Sequence, residues 1–463
     1  MKSDFIILGG GTAGLISALM LKQAYPEKKI TIIKSDDIGI IGVGEGSTKE
    51  FTAFINFIGV KPYDLILNTG STFKSGIYFS DWSEQNFLHT RSAFHDQNWL
   101  STKPRYLHHI SYTPDLYLSD KCYHDNEFYP DFLDDPNKSP SNQYHFDTFK
   151  FNDYFLKLAA DRGIAIVEDT IKKVQLNDLG LIRSLHGEDE SETYEADFYL
   201  DCTGFKRLLN QSDWVSYSDK LILNKAVAFQ TAKMNEYNAW TLAKKYKGGW
   251  RWQIPTQDRT GNGIVYHNDL IDDEIKKLID LGKREFNFYP GRLKKIWNKN
   301  VLSVGLSAMF VEPLEATSIG STINQMFLFL EMYHKKDITS YNKIINNVFE
   351  QLVEFIQLHY FGSDLSGDLS DDLKEKIKKW YRVLPTDADV NVPFGLFESG
   401  NYIEVLHGLR FFDQNSIKEC FLNLPINIKN AAIEESSLWF LNNMRTPKIG
   451  HKAAIDLIRS TYK

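Results

Sequence analysis

The chain has 463 residues, a formal net charge of −7 and 43% hydrophobic residues. This length and composition predict a well-packed globular protein with more than one substructure. The acidic balance, without a long basic run, argues against nucleic acid as the main partner. Three widely separated cysteines predict neither a disulfide framework nor a zinc site. No apolar run reaches the roughly 20 residues that span a bilayer, and the chain starts with a strand in place of a signal peptide, so we expect a cytoplasmic protein without a membrane partner.

The first apolar stretch, Phe5–Leu8, predicts a buried parallel strand that ends in a glycine-rich turn. Gly9, Gly11 and Gly14 fit the G-x-G-x-x-G pattern. The first glycine permits a tight turn, the second lets a pyrophosphate approach the backbone, and the third lets the helix pack on the strand. The helix N-terminus adds a partial positive charge. With an apolar helix and a second strand over residues 15–33, this unit predicts a dinucleotide site.

Two further segments near the N-terminus suggest a ligand. Glycines alternate in Gly42–Gly46, which predicts a backbone passing close to a ligand, with an ordinary loop as the alternative. The aromatic run 72–82 predicts one strand carrying Lys74, a residue that, taken alone, is more often found at a strand edge or with its charged end reaching solvent. Residues 83–145 lack periodicity and their histidines, such as His89, are scattered. We therefore predict an insertion beside a pocket, without a metal site.

The rest of the chain alternates strands and helices and becomes mostly helical after residue 340. Trp250 and Trp252 lie two residues apart, so they share one face of a strand, either in the core or at a site. Thr317 and Ser318 precede a helix predicted from about residue 321. Their hydroxyls and the free N–H groups of a helix start predict an anion site, with a plain N-cap as the alternative.

Five motifs together resemble the flavin-dependent halogenases, specifically the tryptophan-halogenase-like group. The discriminating one is Trp250–Pro255, which matches the family's W-x-W-x-I-P signature and is absent from monooxygenases of the same fold. The other four occur in the same order along the chain: Gly42–Glu45, Thr72–Lys74, Asp201–Phe205 and Glu312–Thr317. The resemblance extends from residue 1 to about residue 410.

The resemblance implies an α/β fold. Its FAD-binding Rossmann-like domain, of the glutathione-reductase or aromatic-hydroxylase type, carries an inserted substrate-binding sheet region and a mostly helical C-terminal part. We assign the halogenase module to residues 1–340, with substrate-side insertions at about 50–145 and 210–300. Residues 341–463 form a helical region that covers the substrate pocket. The implied contacts of FAD are Gly9, Gly11, Thr12, Ala13, Gly14, Ser35, Ile38, Gly42, Val43, Gly44, Glu45, Ile171, Gly305, Leu306 and Ile319.

The family uses FADH2 from a separate flavin reductase, oxygen and a halide (chloride, bromide or iodide) to form hypohalous acid. By resemblance, Lys74 receives this acid beside the substrate, either by donating a hydrogen bond or by forming a haloamine. Glu315 matches the family's glutamate, which polarises the oxidant or helps to take the ring proton. Thr317 and Ser318 match the halide site.

The resemblance also assigns roles to the tryptophans and shows departures from the family. Trp250 and Trp252 would keep the substrate away from the flavin, with simple core packing as the alternative. Lys34 stands where the family usually has a glutamate, so Asp36, Asp37 or the backbone would bind the ribose. Ala316 replaces a serine and Ser318 a glycine, which leaves the halide preference open.

We therefore predict a halogenase that acts on a free, electron-rich aromatic small molecule of the indole, phenol or pyrrole type. A flavoprotein monooxygenase of the same fold is the alternative, and a carrier-bound substrate is a variant of the first hypothesis. A non-catalytic flavin-binding protein is the third hypothesis, against which the presence of Lys74, Glu315 and both tryptophans argues. The sequence leaves a homodimer open.

Overall fold

The largest sheet is built on the predicted strand–turn–helix–strand unit. The computed structural model describes residues 2–38, 45–90, 99–113, 121–133, 135, 137–139, 141–189, 191–282 and 285–462. Five strands of this sheet are parallel, in the order 165–168, 30–34, 2–8, 193–201 and 301–303. The strand Lys2–Leu8 lies in the middle, and its buried residues on both faces explain its continuous apolar run. Three antiparallel strands extend the sheet: Lys173–Leu176, Ile182–His186 and Trp297–Asn298.

Helices dominate the chain after residue 338, as the amphipathic pattern predicts. Within the described residues, each helix is too short or too polar to cross a bilayer. The helices are Thr12–Ala24, Glu50–Phe57, Pro62–Asn68, Trp99–Tyr112, Lys121–His124, Thr148–Asp161, Asp273–Ile279, Thr317–Met332, Ile338–Tyr360, Asp371–Trp380, Asp387–Val390, Ser399–Gly408, Gln414–Leu422, Ile426–Arg445 and His451–Tyr462.

A second sheet joins the two segments predicted as insertions. The strands Gly76–Ser80 and Trp240–Tyr246 are parallel neighbours in it, so segments far apart in sequence form one surface. The strand order is Glu285–Asn287, Lys225–Ala232, Arg259–Tyr266, Gly249–Pro255, Trp240–Tyr246, Gly76–Ser80 and Phe87–Thr90. Three smaller sheets consist of Glu45–Gly46, Gln143–Phe146 and Thr72–Lys74; of Trp214–Ser216, Gly291–Leu293 and Met309–Phe310; and of Glu127–Phe128 and Ile449–Gly450.

The prediction of one strand over residues 72–82 is wrong. The chain bends and divides it into strands 72–74 and 76–80, which belong to different sheets. A Cβ at Gly76 would lie 2.2 Å from a carbonyl oxygen of the neighbouring strand, so only glycine allows this close approach. The bend leaves Lys74 at the junction of two sheets.

The helix predicted from about residue 321 begins earlier, at Thr317. Glu315 and Ala316 both have left-handed backbone conformations, with φ values of 65° and 53°. Such conformations cost roughly 1–3 kcal/mol each for residues other than glycine, and they persist where the surrounding structure holds them. The chain turns sharply at these two residues, and helical geometry begins directly after them.

Candidate active site

The glycine turn after the first strand has the close approaches that its pattern predicts. Gly9 has a φ of +117°, and a Cβ there would lie 2.3 Å from the carbonyl oxygen of Cys202. A Cβ on Gly14 would lie 1.9 Å from the carbonyl oxygen of Gly9. Gly11 is the N-cap of the helix Thr12–Ala24, and no side chain caps this end. The first N–H groups of the helix therefore form an anion site at its partially positive end.

Several other predicted cofactor residues lie around this turn. Gly305 has a φ of +66°, and a Cβ there would lie 2.7 Å from the Cβ of Ala13. The hydroxyl of Thr12 donates to a side-chain amide oxygen at 3.1 Å. Leu306 is half-buried and Ile319 is buried. The loop after the strand Val301–Ser303 and the turn after the first strand thus meet at the ends of their parallel strands, where ligands bind in such sheets.

Charged residues at the end of the second strand pair with one another. The Lys34 ammonium donates to Oε2 of Glu168 at 2.6 Å and to the carboxylate of Asp36. Asp36 is one of the groups predicted to bind the ribose in place of the family's glutamate. Because its carboxylate already pairs with Lys34, a ribose hydroxyl would have to compete with Lys34 for it.

The remaining predicted cofactor residues lie near this strand end. The hydroxyl of Ser35 accepts a hydrogen bond from Thr170 at 2.9 Å. Ile38 is 54% exposed and Ile171 is half-buried. Glu45 is partly buried, and desolvation raises its pKa to about 7. Three predicted residues lie outside the described part of the chain: Gly42, Val43 and Gly44.

Lys74 is buried and lines a cavity. Its side chain is 2% exposed, and its ammonium donates to the carbonyl of Ser47 at 2.6 Å. Its stem passes over Gly46, where a Cβ would lie 3.3 Å from the lysine Cδ and Cε. Burial lowers the pKa of Lys74 to about 8, against the opposing charges of Glu315 and Glu50. Near neutral pH, the side chain is therefore close to the boundary between a strong donor and a nucleophilic amine.

Glu315 is held between two histidines. Nδ1 of His89 lies 2.9 Å from each carboxylate oxygen, and Nε2 of His359 lies 3.0 Å from Oε1. His89 belongs to the strand Phe87–Thr90, and His359 lies near the end of the helix Ile338–Tyr360. Burial alone would raise the pKa of Glu315, but the two imidazoles outweigh it and hold this pKa well below its usual range.

Lys74 and Glu315 line the same cavity, which has a volume of about 600 Å³. Pockets for small organic ligands typically measure about 300–1,000 Å³, so an aromatic small molecule fits here. The apolar wall consists of Ile77, Leu396 and Phe397, the last two from the C-terminal helical region. The N-terminal module and the helical region therefore both line this cavity.

The start of the helix Thr317–Met332 presents main-chain N–H groups without a side-chain cap. Ala316 occupies the N-cap in the left-handed conformation and Thr317 follows in the right-handed one. Successive N–H groups in such a pair face a common concavity that suits an anion. Thr317 is buried and Ser318 is exposed. The alternative of a plain N-cap by Thr317 or Ser318 is wrong, because both lie inside the helix.

Trp250 and Trp252 lie on one face of their strand, as predicted, with ring centroids 6.0 Å apart. Both rings are buried in the main core. Trp252 lies against Gly263, where a Cβ would come within 1.9 Å of the ring. Among the described residues that line the cavity of Lys74, neither tryptophan is present.

The sequence reasoning missed His359, His89 and the partner of His89, Asn401. Asn401 places Nδ2 3.0 Å from Nε2 of His89. His359 had a usable signal, since it shares the apolar face of its helix with Leu352 and Phe355 at helical spacing. A histidine on such a face needs a buried polar partner. His89 had no comparable signal in its four-residue strand.

The glycine turn, together with a cavity lined by a buried lysine and a buried carboxylate, is typical of a dinucleotide-binding enzyme. The family model for tryptophan halogenase matches residues 4–419, so the chain belongs to this family.

Comparison with known proteins supports this assignment. The chain is 27% identical to tryptophan 6-halogenase SttH of Streptomyces toxytricini, over 87% of this chain and 88% of that protein. It is 26% identical to tryptophan 7-halogenase RebH of Lentzea aerocolonigenes, over 87% and 89%. A crystal structure of a tryptophan halogenase from Shewanella frigidimarina has the same fold, with a TM-score of 0.86, 22% identity and coverage of 99% and 98%. The predicted family and fold class are confirmed.

The chain is accordingly a flavin-dependent halogenase, an oxidoreductase that uses FADH2 and halide, acts on aromatic substrates and needs a flavin reductase to supply FADH2. The turn fits this cofactor, because Gly9 and Gly14 allow the close backbone packing of a dinucleotide-binding turn and the helix start after Gly11 has no side-chain cap, so its N–H groups can bind an anion. In the described ranges, no group of three or more His, Cys, Asp or Glu side chains could hold a metal ion.

Proposed function

We propose that this halogenase acts on a free, electron-rich aromatic small molecule of the indole, phenol or pyrrole type, in the cavity of Lys74. The observation that carries the proposal is that two buried groups of opposite charge, Lys74 and Glu315, line one cavity of about 600 Å³. Ile77, Leu396 and Phe397 supply apolar surface for a flat ring, while the charged pair lies where the ring would react.

When bound, reduced flavin would supply the chemistry by which oxygen oxidises halide to hypohalous acid. Lys74 then orients this acid beside the ring, as an ammonium that donates a hydrogen bond or as an amine that forms a haloamine. A pKa of about 8 keeps both forms accessible near neutral pH. Glu315 provides negative charge opposite the cationic ring that forms when the halogen is added.

We assign the halide to the uncapped N–H groups of Thr317 and Ser318. The left-handed Ala316 and the partially positive helix end support this assignment. The exposed side chain of Ser318, where the family often has glycine, stands beside the site and would influence the preferred halide. By resemblance Trp250 and Trp252 would keep substrate away from the flavin; since neither is among the described residues that line the cavity of Lys74, they would do so from the core behind it.

The test supplies photochemically reduced FAD, oxygen and one halide at a time to the purified chain, with a panel of indoles, phenols and pyrroles. Mass spectrometry detects exchange of hydrogen for halogen. We expect halogenated product from the wild type and from the control Lys157→Met, which alters an exposed helix position. Lys74→Met should lose at least about a hundredfold in rate, as for other essential proton-donating or nucleophilic groups, while flavin binding is retained.

The product identifies the activity. Halogenated product that depends on Lys74 supports the proposal, and its yield with chloride, bromide and iodide ranks the halides. Hydroxylated product formed without halide would refute it and favour the monooxygenase. Full halogenation by Lys74→Met would refute the role of this lysine.

A further inference from the structure

The hydrogen bonds around Glu315 determine which atoms of Glu315, His89 and His359 carry a proton. We infer that His359, as an imidazolium counter-ion, and His89, as a neutral N–H donor, hold Glu315 as an ionised carboxylate. Glu315 is then a fixed negative charge opposite Lys74, and it does not accept the ring proton. The two histidines are positioning residues, and the chemical consequence rests on the proposed function.

Asn401 fixes the protonation of His89. The main-chain N–H of Glu398 donates to Oδ1 of Asn401 at 2.9 Å, so the nitrogen of this amide is the atom 3.0 Å from Nε2 of His89. An amide nitrogen only donates, and Nε2 of His89 must therefore be unprotonated. The single proton of this neutral ring is on Nδ1, which donates to both oxygens of Glu315.

His359 must carry a proton on Nδ1, the ring nitrogen that faces away from Glu315. Its Nδ1 lies 2.8 Å from the carbonyl oxygen of Phe355, which only accepts. Its Nε2 lies 3.0 Å from Oε1 of Glu315, and two facing lone pairs at this distance in a buried site would repel. One proton therefore lies between these atoms. The N–H donated by His89 stabilises the ionised carboxylate, which places that proton on His359.

Two charged groups from neighbouring elements, Lys74 and Glu404, act on this triad, and Glu50 acts in turn on Lys74. The positive charge of Lys74 favours the ionised carboxylate of Glu315. The carboxylates of Glu315 and Glu404 outweigh burial and raise the pKa of His89. The amide nitrogen of Asn401 opposes a second proton, because it has no lone pair to accept an N–H from Nε2. Burial raises the pKa of Glu312 to about 8, so this carboxyl is mostly uncharged at neutral pH.

A fixed charge determines where the ring proton goes. The halogen of hypohalous acid bonds to the ring through a ring electron pair, and the oxygen keeps the pair of the O–X bond and leaves as hydroxide. Hydroxide then takes the ring proton while the C–H electron pair returns to the ring, which yields halogenated product and water. Glu315 stabilises the cationic ring throughout. His359 cannot pass a proton from Glu315 to solvent, because its Nδ1–H donates to the carbonyl oxygen of Phe355, which only accepts.

The first test measures protonation directly, in the full chain without flavin. Histidines labelled with ¹⁵N are observed by NMR, and His89→Gln and His359→Gln assign the two signals. In the neutral pH range the hydrogen-bond geometry leads us to expect an imidazolium at His359 and a neutral ring with its proton on Nδ1 at His89. Unchanged signals from buried His451 show that each variant retains its fold.

Two results of this test would overturn the inference: a neutral His359 in this range, or a doubly protonated His89. Glu315→Gln provides a second variant should a histidine variant not fold. Loss of the carboxylate removes the counter-ion, so we expect His359 to become neutral. An imidazolium that persists in Glu315→Gln would contradict the pairing. These readouts do not depend on whether the chain halogenates any substrate, so they separate this inference from the proposed function.

The second test compares the pH profiles of halogenation. Glutamine in His359→Gln keeps a donor but removes the positive charge, so the pKa of buried Glu315 rises. The rate of this variant relative to wild type should then fall by about tenfold per pH unit below the new pKa. Relative rates that are independent of pH would overturn the inference.

Discussion

The lowered pKa of Lys74 implies that this lysine destabilises the fold at neutral pH. The pKa is about 8 in the folded chain, against an ordinary value of 10.5. One pKa unit corresponds to about 1.4 kcal/mol, so burying the ammonium costs about 3 kcal/mol. Below pH 8 both states carry the proton, and the cost is constant. Between pH 8 and 10.5 the unfolded state binds more protons, so the free energy of unfolding rises with pH in this window.

Lys74→Met removes this titration while it keeps a similar side-chain length. The change also removes the hydrogen bond to the carbonyl of Ser47, and an unpaired buried carbonyl costs about 1–3 kcal/mol. At pH 7 the variant should therefore gain between about 0 and 2 kcal/mol in stability. The hydrogen bond contributes at every pH, so the pH trend isolates the charge. The free energy of unfolding of wild type minus that of the variant should rise by about 3 kcal/mol from pH 7 to about pH 10.5.

Urea unfolding followed by tryptophan fluorescence measures this difference at steps of pH. Lys157→Met is the matched control, since its side chain is 77% exposed. If the difference between wild type and Lys74→Met does not change with pH, the reasoning from a buried ammonium is refuted. If it rises as expected, the lysine proposed to act in halogenation also lowers the stability of the fold.

Two further predictions concern the flavin side and the C-terminal helix. Gly305→Ala places a Cβ 2.7 Å from that of Ala13 at a φ of +66°, so we expect a loss of about 1–3 kcal/mol in stability and weaker FAD binding. Thermal denaturation measures the stability and flavin titration measures the binding. Unchanged values of both would contradict the close approach. Burial lowers the pKa of His451 from 6.5 to about 3, so the unfolded state binds the proton first and stability is lost as pH falls through this window. His451→Gln should reduce this acid-dependent loss by about 5 kcal/mol, measured by circular dichroism with urea at each pH, whereas an unaltered acid dependence would contradict the assignment.

Local patterns explain what could be predicted from the sequence. The turn at Gly9 and the shared face of Trp250 and Trp252 depend on residues close together in the chain, and the structure has both. The pairing of Glu315 with His89 joins residues 226 positions apart, so periodicity carries no information about it. Its pairing with His359 spans 44 positions across a change of element.

The incorrect predictions have the same origin. The division of the strand over residues 72–82 depends on a backbone approach to a neighbouring strand, which appears in the sequence only as Gly76. The helix begins at Thr317 because two residues before it adopt left-handed conformations that their side chains do not favour. The roles of Lys74, Glu315 and the halide residues stay predictions, which the halogenation assay tests.

The C-terminal helix limits when the reaction cavity can be completed during protein synthesis. Nε2 of His451 accepts the main-chain N–H of Phe73, the residue before Lys74, at 3.0 Å, and the two residues are 378 positions apart. A ribosome adding about 5–20 residues per second needs roughly 20–75 s to cover this separation. During that interval the strand of Lys74 lacks its support, so nascent chains with a finished glycine turn still have an unfinished reaction cavity. The glycine turn is therefore synthesised well before the contact that supports the strand of Lys74.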